Sequence, residues 1–368
     1  MTIPTLNSDQ PRARVLSGMR PTGRLHLGNY MGALYNWVQL QHQYECFFFI
    51  ADYHALTTNY ADTSELKDHI KEVTLDFLAG GLDPKLCTIF LQSDVPAHFE
   101  LHTLLSMITP VTWLERVPTY KDQQEQLKEK DLATYGFLGY PLLQSADILA
   151  YQANFVPVGQ DQAAHVEITR EIARRFNHLY APRPTAAVRK AHAPGHSDKE
   201  LIQAELAAPE AAEILPEPKV LLTPSPKLPG LDGRKMSKSY NNTIGLSDPE
   251  PEIRAKLKTM VTDPARIRRT DPGNPEVCPV FDLHKLFSPS EVQAEAAVGC
   301  RTAGIGCIQC KGWLADGVVR ELAPIQERRR FFEANPAEVE AIIEAGNARA
   351  NQRANQTMRE VRVAMGLR

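Results

Sequence analysis

Apolar residues in the N-terminal quarter of the chain follow two alternating patterns. Residues 13–18, which end at a glycine, predict a short first strand, and the apolar runs at 46–50 and 88–91 have the composition of strands buried on both faces. Between these runs, apolar residues recur at helical spacing over 29–42 and 62–78, and a glycine pair ends the second helix. This alternation predicts an α/β fold with a Rossmann-like, doubly wound parallel sheet.

The pattern becomes helical in the last third of the chain. No strand-like alternation is found there, and each segment has apolar residues three and four positions apart. The predicted helices are 252–260, 289–298, 312–330, 336–345 and 348–365. We therefore expect a mostly α-helical C-terminal domain.

A stretch of unusual composition precedes that domain. Residues 181–239 contain no aromatic residue and no cysteine, and prolines punctuate the first part. Such composition supplies little core, so the segment at about 183–219 is predicted to be an exposed insertion. The predicted division is a catalytic domain over 1–240, which contains the insertion, and a helical domain over 241–368.

Composition narrows the class of protein. The 368 residues are 43% hydrophobic and 23% charged, with a formal net charge of −3, so the chain does not coat nucleic acid as a polycation. No apolar stretch reaches membrane-spanning length, and residues 1–14 do not resemble a signal peptide. We expect a cytoplasmic protein without a membrane partner, in which the six cysteines form no disulfide framework.

Two short segments carry the candidate chemistry. The first is His26-Leu27-Gly28-Asn29, which opens the first predicted helix, and the second is Lys235-Met236-Ser237-Lys238-Ser239. Gly28 permits close backbone approach to a phosphate, and His26 and Asn29 offer neutral hydrogen-bond donors at a helix N-terminus. The two lysines bring mobile positive charge. The pair predicts a site for a nucleoside triphosphate.

In this order, the two segments resemble the HIGH and KMSKS signatures of class I aminoacyl-tRNA synthetases. Three further segments, 51–55, 139–162 and 165–170, resemble the tryptophanyl-tRNA synthetase family, as does Pro324-Ile325-Gln326-Glu327-Arg328. The resemblance covers the chain apart from about 183–219. It implies activation of L-tryptophan with ATP and Mg²⁺ to the adenylate, followed by transfer to the terminal adenosine of tRNA(Trp).

The resemblance also implies roles for individual residues. The implied catalytic residues, which stabilise the transition state of activation, are His26, Asn29, Lys235 and Lys238. The implied ATP-binding residues are Arg20, Pro21, Thr22, Gly28, Asn29, Gly159, Gln160, Asp161, Leu228, Lys235, Met236, Ser237, Lys238 and Ser239. Many relatives carry glutamine in place of Arg20.

A second implied set forms the tryptophan pocket. Asp147 would accept a hydrogen bond from the indole N–H, since indole offers one donor and no acceptor. The other implied pocket residues are Tyr140, Gln144, His54 and Gln162. His54 could instead be a structural histidine, and many bacterial relatives have methionine where this chain has Gln144.

Two other functions remain open. A tyrosyl-tRNA synthetase shares the fold and both signatures, and a synthetase-like binding protein would keep the fold without ligating. The intact signature residues argue against the non-ligating binding protein.

The resemblance implies tRNA(Trp), L-tryptophan and ATP as partners, and assembly as a homodimer, with an apolar self-contact expected around 107–114.

Four cysteines cluster in the predicted helical domain. Cys278, Cys300, Cys307 and Cys310 can present four thiolates to one centre, and the chemistry allows either tetrahedral Zn²⁺ or an iron–sulfur cluster. Some tryptophanyl-tRNA synthetases carry a [4Fe–4S] cluster on a similar array beside the anticodon-binding region. The resemblance therefore favours [4Fe–4S] over zinc, with a structural role. Cys46 and Cys87 lie in predicted strands and are expected to be inert core thiols.

Overall fold

The computed structural model describes residues 12–117, 133–159, 163–181, 213–222 and 228–367. Its five strands are β1 (Arg14–Met19), β2 (Glu45–Ile50), β3 (Cys87–Leu91), β4 (Phe155–Val158) and β5 (Lys219–Leu222). They form one sheet in the order β3-β2-β1-β4-β5, and every paired neighbour is parallel. The predicted doubly wound parallel sheet is confirmed, including its three N-terminal strands.

Helices cover the sheet and form most of the C-terminal region. Helix α1 consists of Leu27–Asn29, a π-helical stretch Tyr30–Leu34, and Tyr35–Leu40. The others before the insertion are α2 (Asp52–Asn59), α3 (Leu66–Gly80), α4 (Ala97–Ser106), α5 (Val111–Glu115), α6 (Tyr135–Leu138), α7 (Tyr140–Ala150) and α8 (Ala163–Tyr180). Those after it are α9 (Glu250–Thr259), α10 (Pro279–Phe287), α11 (Ser290–Arg301), α12 (Cys307–Ala334) and α13 (Pro336–Ala364).

Alternate side chains of the strands enter two cores, one on each face of the sheet. Phe48 of β2 joins the core that contains Trp37 and Phe77, while Phe47 and Phe49 join the core that contains Ile172 and Met358. Period-two alternation along each strand produces this division. Cys46 and Cys87 are buried in the first core, which confirms that they are core residues, and burial raises the pKa of both thiols.

The C-terminal helices pack directly on the sheet. Helix α12 lies against α3, and α13 lies against β3 at the edge of the sheet. Side chains of α12 such as Leu322 share the core with β2, and Met358 of α13 lies in the opposite core. The boundary at 240 and 241 stays a prediction, and the two regions share their cores.

One predicted break does not exist. The sequence predicted separate helices over 336–345 and 348–365, whereas α13 runs through Gly346 and Asn347 without interruption. Gly346 is needed there because a Cβ atom would stand 1.7 Å from the carbonyl oxygen of Ile89 in β3. The side chain of Asn347 accepts a hydrogen bond from the Leu91 N–H at 3.0 Å. These residues attach the helix to the edge strand.

The chain rejoins the fold earlier than the predicted end of the insertion. Leu215 is fully buried, and the Asn177 side chain bonds the backbone of Ile214 and Leu215. Lys219 already belongs to β5. Most of the predicted insertion, residues 183–212, lies outside the described residues. Within the described ranges, no helix combines the length and apolar character needed to cross a membrane.

Candidate active site

The candidate site lies where the sheet changes direction. From β1 the chain builds outward through β2 and β3, then returns to place β4 on the other side of β1. Ligands of such sheets bind beyond the carboxyl ends of the strands at this switch point. A cavity of about 330 Å³ opens there between β1 and β4. Its lining includes Arg20, His54, Tyr140, Gln144, Asp147 and Gly159.

His26 begins α1 and is held by a reciprocal cap. The Gly28 N–H donates to His26 Nδ1 at 3.1 Å, and the His26 N–H donates to the Asn29 side-chain oxygen at 3.1 Å. Burial, with smaller contributions from the positive charges of Lys238 and Lys235, lowers the pKa of His26 to about 4. The imidazole is therefore neutral at pH 7, as the sequence predicted.

The second signature is tied to the first by backbone pairing. Leu27 N–H donates to the Ile244 carbonyl at 2.9 Å, and Leu246 N–H donates to the Leu25 carbonyl at 3.0 Å. His26 thus forms an antiparallel bridge with Gly245. The second signature, residues 235–239, is the lysine loop. It lies just before Ile244 and is held beside the start of α1, although more than two hundred residues separate the two signatures in the sequence.

Hydrogen bonds fix the backbone of the lysine loop. Met236 is buried, and its N–H donates to the Leu228 carbonyl at 2.9 Å. The Asn242 side chain accepts from the Ser237 N–H at 2.8 Å and donates to Asp232 at 2.7 Å. Asn242 was not predicted, because its partners become close only once the loop has folded.

The two lysines differ in their contacts. Lys238 Nζ donates to the Thr22 carbonyl at 2.6 Å, which brings the loop onto the turn after β1. Both Lys235 and Lys238 are exposed. Pro21 lines a second cavity of about 520 Å³ beside this turn, together with Tyr60 and His69. Leu228 is 2% exposed and packs in the core. Its predicted contact with ATP stays a prediction.

Asp147 lies in the interior of α7, which excludes a helix-capping role. One carboxylate oxygen, Oδ2, accepts from His54 Nε2 at 2.7 Å. The other, Oδ1, accepts from Gln92 Nε2 at 2.8 Å and from His98 Nδ1 at 2.6 Å. Burial raises the pKa of Asp147, but His54 and His98 more than offset that effect and leave the pKa below its ordinary value. The residue is a buried carboxylate.

Two other predicted pocket residues, Tyr140 and Gln144, each contact a histidine. The His54 and Tyr140 rings pack edge to face with centroids 4.4 Å apart. The Gln144 side-chain oxygen accepts from His165 Nδ1 at 2.7 Å. Gln160, Asp161 and Gln162 lie outside the described residues, and their predicted contacts stay predictions.

Sequence reasoning missed Gln92 and His98. Both follow β3, and residues just after a parallel strand are candidates for any site at that edge. That signal was available, because 88–91 was predicted as a strand. Tyr151, whose hydroxyl lies 2.9 Å from His98 Nε2, gave no comparable signal.

The four C-terminal cysteines lie at the ends of three helices. Cys278 immediately precedes α10, Cys300 is in the last turn of α11, and Cys307 and Cys310 are in the first turn of α12. Burial and, to a smaller extent, the other three cysteines raise the pKa of Cys310 to about 12. Among the described residues, no three His, Cys, Asp or Glu side chains are arranged to hold a metal ion.

The sheet, the neutral histidine cap and the lysine loop beside it define a class I aminoacyl-tRNA synthetase. The family described as tRNA synthetases class I (W and Y) matches residues 8–323, and the chain belongs to it.

Individual relatives agree along nearly the full length. The chain is 51% identical to a tryptophan–tRNA ligase of Ralstonia nicotianae, over 96% of this chain and 98% of that protein. It is 49% identical to the tryptophan–tRNA ligase of Thermotoga maritima, over 96% and 99% of the two chains. The tryptophanyl-tRNA synthetase of Campylobacter jejuni, solved with ADP and tryptophan, superimposes with a TM-score of 0.80 at 32% identity, covering 96% and 100%.

Proposed function

We propose that this enzyme is a tryptophan–tRNA ligase. It activates L-tryptophan with ATP to the adenylate and transfers the amino acid to the 3′-terminal adenosine of tRNA(Trp). The observation that carries the choice of amino acid is the buried carboxylate of Asp147 in the switch-point cavity. A carboxylate can only accept hydrogen bonds, and the indole N–H can only donate one.

Tryptophan would occupy the cavity with its ring near Tyr140 and His54. Asp147 would accept from the indole N–H, while Gln144 and Gln162 would complete the pocket. The fixed orientation of Gln144 by His165 supports a polar contact where many relatives have methionine.

ATP would lie across the two signatures. Gly28, Asn29 and the turn of Arg20, Pro21 and Thr22 would contact the nucleotide. The rest of the nucleotide site would come from Gly159, Gln160, Asp161, Leu228, Met236, Ser237 and Ser239. His26, Asn29, Lys235 and Lys238 would stabilise the charge that develops during phosphoryl transfer. Mg²⁺, bound chiefly through the phosphates, would neutralise part of that charge.

The nearest alternative is tyrosine activation, and pyrophosphate exchange separates the two. Purified protein should exchange pyrophosphate into ATP with tryptophan and at least about a thousandfold less efficiently with tyrosine. Tyrosine-dependent exchange would favour the alternative. Absence of exchange with either amino acid would favour the non-ligating binding protein.

We also propose that the helical region over 241–368 recognises the anticodon and holds a [4Fe–4S] cluster. The chemistry of the donors supports this proposal, because the four side chains are all thiols and Arg266 Nη1 lies 3.8 Å from Cys300 Sγ, where it would offset negative charge. Cys278, Cys300, Cys307 and Cys310 would hold the cluster. Its role would be structural, because aminoacylation contains no redox step.

Anaerobic purification tests the cluster. The protein should be brown, with broad absorbance near about 400 nm and about four irons per chain. Colourless protein with one zinc per chain would replace the cluster by the zinc alternative. Cys307→Ser should weaken tRNA charging more than tryptophan activation, and equal losses would indicate general unfolding.

Two further proposals concern location and assembly. A cytoplasmic location is inferred from the sequence. Homodimer formation is supported by exposed apolar side chains, since Met107 is 71% and Val111 57% exposed. Ile108, by contrast, is buried within its own chain. A sedimentation experiment that finds only a 41 kDa species at micromolar concentration would contradict the dimer.

A further inference from the structure

Three side chains from separate elements hold the carboxylate of Asp147. Gln92 follows β3, His98 is in α4, and His54 is in α2. We propose that His98, oriented by the hydroxyl of Tyr151, is a positioning residue that fixes Asp147 and restricts it to one substrate donor. This inference rests on the proposed function and deepens it, because it identifies what sets selectivity for an indole N–H.

The acceptor capacity of Asp147 leads to this proposal. A carboxylate has about four acceptor positions, two on each oxygen. His98 and Gln92 occupy both positions on Oδ1, and His54 occupies one on Oδ2. One position remains, on Oδ2, and Asp147 lines the cavity. The arrangement therefore accepts one additional donor from a fixed direction.

His98 must carry its proton on Nδ1. That nitrogen lies 2.6 Å from a carboxylate oxygen, a distance that requires an N–H donor. In the neutral ring, Nε2 is then an acceptor, and it lies 2.9 Å from the Tyr151 hydroxyl. Tyr151 is fully buried, and burial raises its pKa well above the ordinary value, so the hydroxyl keeps the proton that it donates.

Tyr151 therefore selects the tautomer that Asp147 needs. If the proton moved to Nε2, a bare Nδ1 would face the carboxylate and repel it. The Tyr151 hydroxyl favours the productive form because its O–H can donate to an unprotonated Nε2. His98 and Tyr151 are both fully buried, so no water competes for the hydrogen bond between them.

An isosteric ligand pair tests the positioning role. In 3-benzothienylalanine, sulfur replaces the indole N–H while the ring shape is kept, so only tryptophan can use the open acceptor position. Dissociation constants of both ligands are measured for the wild type, His98→Leu and the conservative variant His98→Asn. The Asn amide can still donate to Asp147 from nearly the Nδ1 position.

The wild type should prefer tryptophan by at least about a hundredfold. His98→Leu should reduce that preference at least about tenfold while changing the benzothienyl constant less than about threefold. His98→Asn should restore most of the preference. Parallel weakening of both ligands, or an unchanged preference in His98→Leu, would overturn the positioning role.

Tyr151→Phe provides a second variant that removes a single oxygen. It should reduce the tryptophan preference about three- to tenfold without weakening the benzothienyl ligand, and an unchanged preference would overturn the role of the hydroxyl. Failure of the proposed function gives a different result, because the wild type itself would then not bind tryptophan. A selective wild type with an unaffected His98→Leu variant would contradict the inference alone.

Discussion

Arg329 of helix α12 forms a buried ion pair with Asp76 of helix α3, and Asp76 also accepts a hydrogen bond from the Leu25 N–H at 2.6 Å. Leu25 immediately precedes His26. The C-terminal helical region is thereby connected, through one carboxylate, to the backbone that carries the first signature. Helix α12 also begins at Cys307, so the same helix connects two of the four C-terminal cysteines with the candidate active site.

Replacement of Arg329 should destabilise the enzyme strongly. Arg329→Met leaves the fully buried Asp76 without its counter-charge, which should lower the free energy of unfolding by about 3–5 kcal/mol. Pyrophosphate exchange should fall as well, because Asp76 positions Leu25. Arg330→Met is the matched control, since Arg330 is the adjacent exposed residue of the same helix. Urea unfolding that finds equal, small effects for the two variants would contradict this role.

Two glycines of the C-terminal helices should respond in opposite directions to alanine. Gly346→Ala places a methyl group against the β3 backbone and should lower the free energy of unfolding by at least about 2 kcal/mol, because the backbone of α13 or β3 must move. Gly312→Ala, where an added Cβ meets nothing within 4 Å, should stabilise by about 0.5–1 kcal/mol. Thermal or urea unfolding of both variants decides this, and a tolerated Gly346→Ala would contradict the close approach of α13 to β3.

The lowered pKa of His26 should appear in the pH dependence of stability. The pKa of His26 is about 4 in the folded protein and 6.5 in an unperturbed histidine, so between these values the unfolded chain binds more protons. Stability contributed by neutral His26 is therefore present above about pH 6.5 and is lost as the pH falls toward 4. From pH 7 to pH 5 the free energy of unfolding of the wild type should fall by about 1–2 kcal/mol more than that of His26→Asn, which keeps a capping side chain but does not titrate. If urea unfolding gives the two proteins the same pH dependence of stability, the pKa of His26 is not lowered in the folded protein.

The lysine loop should affect activation much more than tryptophan binding. Lys235→Ala should lower the rate of adenylate formation at least about a hundredfold, since its charge acts on the phosphates. The dissociation constant of tryptophan should change little, because the cavity between β1 and β4 contains neither lysine. Lys71→Ala, an exposed lysine of α3, is the control. A large loss of tryptophan affinity in Lys235→Ala would place the lysine in the amino-acid site instead.

Much of the fold could be predicted because its signals are local. The continuous apolar run of β2 and the helical period of α3 are visible in short windows of sequence. Strand β5 has only four residues and lies after a proline-rich stretch, so its pairing with β4 depends on the assembled sheet. Gly346 appeared to end a helix, because sequence alone does not show the β3 backbone that it contacts.

The candidate site was predictable to a different extent. Each signature is a short continuous run of residues, so the sequence alone was enough to identify His26 and Lys238. The support around Asp147 comes from three elements that meet only in the folded protein, and no sequence window contains His54, His98 and Asp147. Side chains that hold a functional residue in place are for this reason harder to predict than the residue itself.

Aminoacylation by the purified protein tests the central claim most directly. With ATP and Mg²⁺, the enzyme should attach tryptophan to tRNA(Trp) and should attach neither tyrosine to tRNA(Tyr) nor tryptophan to tRNA(Tyr). Asp147→Ala should abolish this charging while the circular dichroism spectrum keeps its helical form. Charging of tRNA(Tyr) with tyrosine, or no charging of any tRNA by folded protein, would contradict the account.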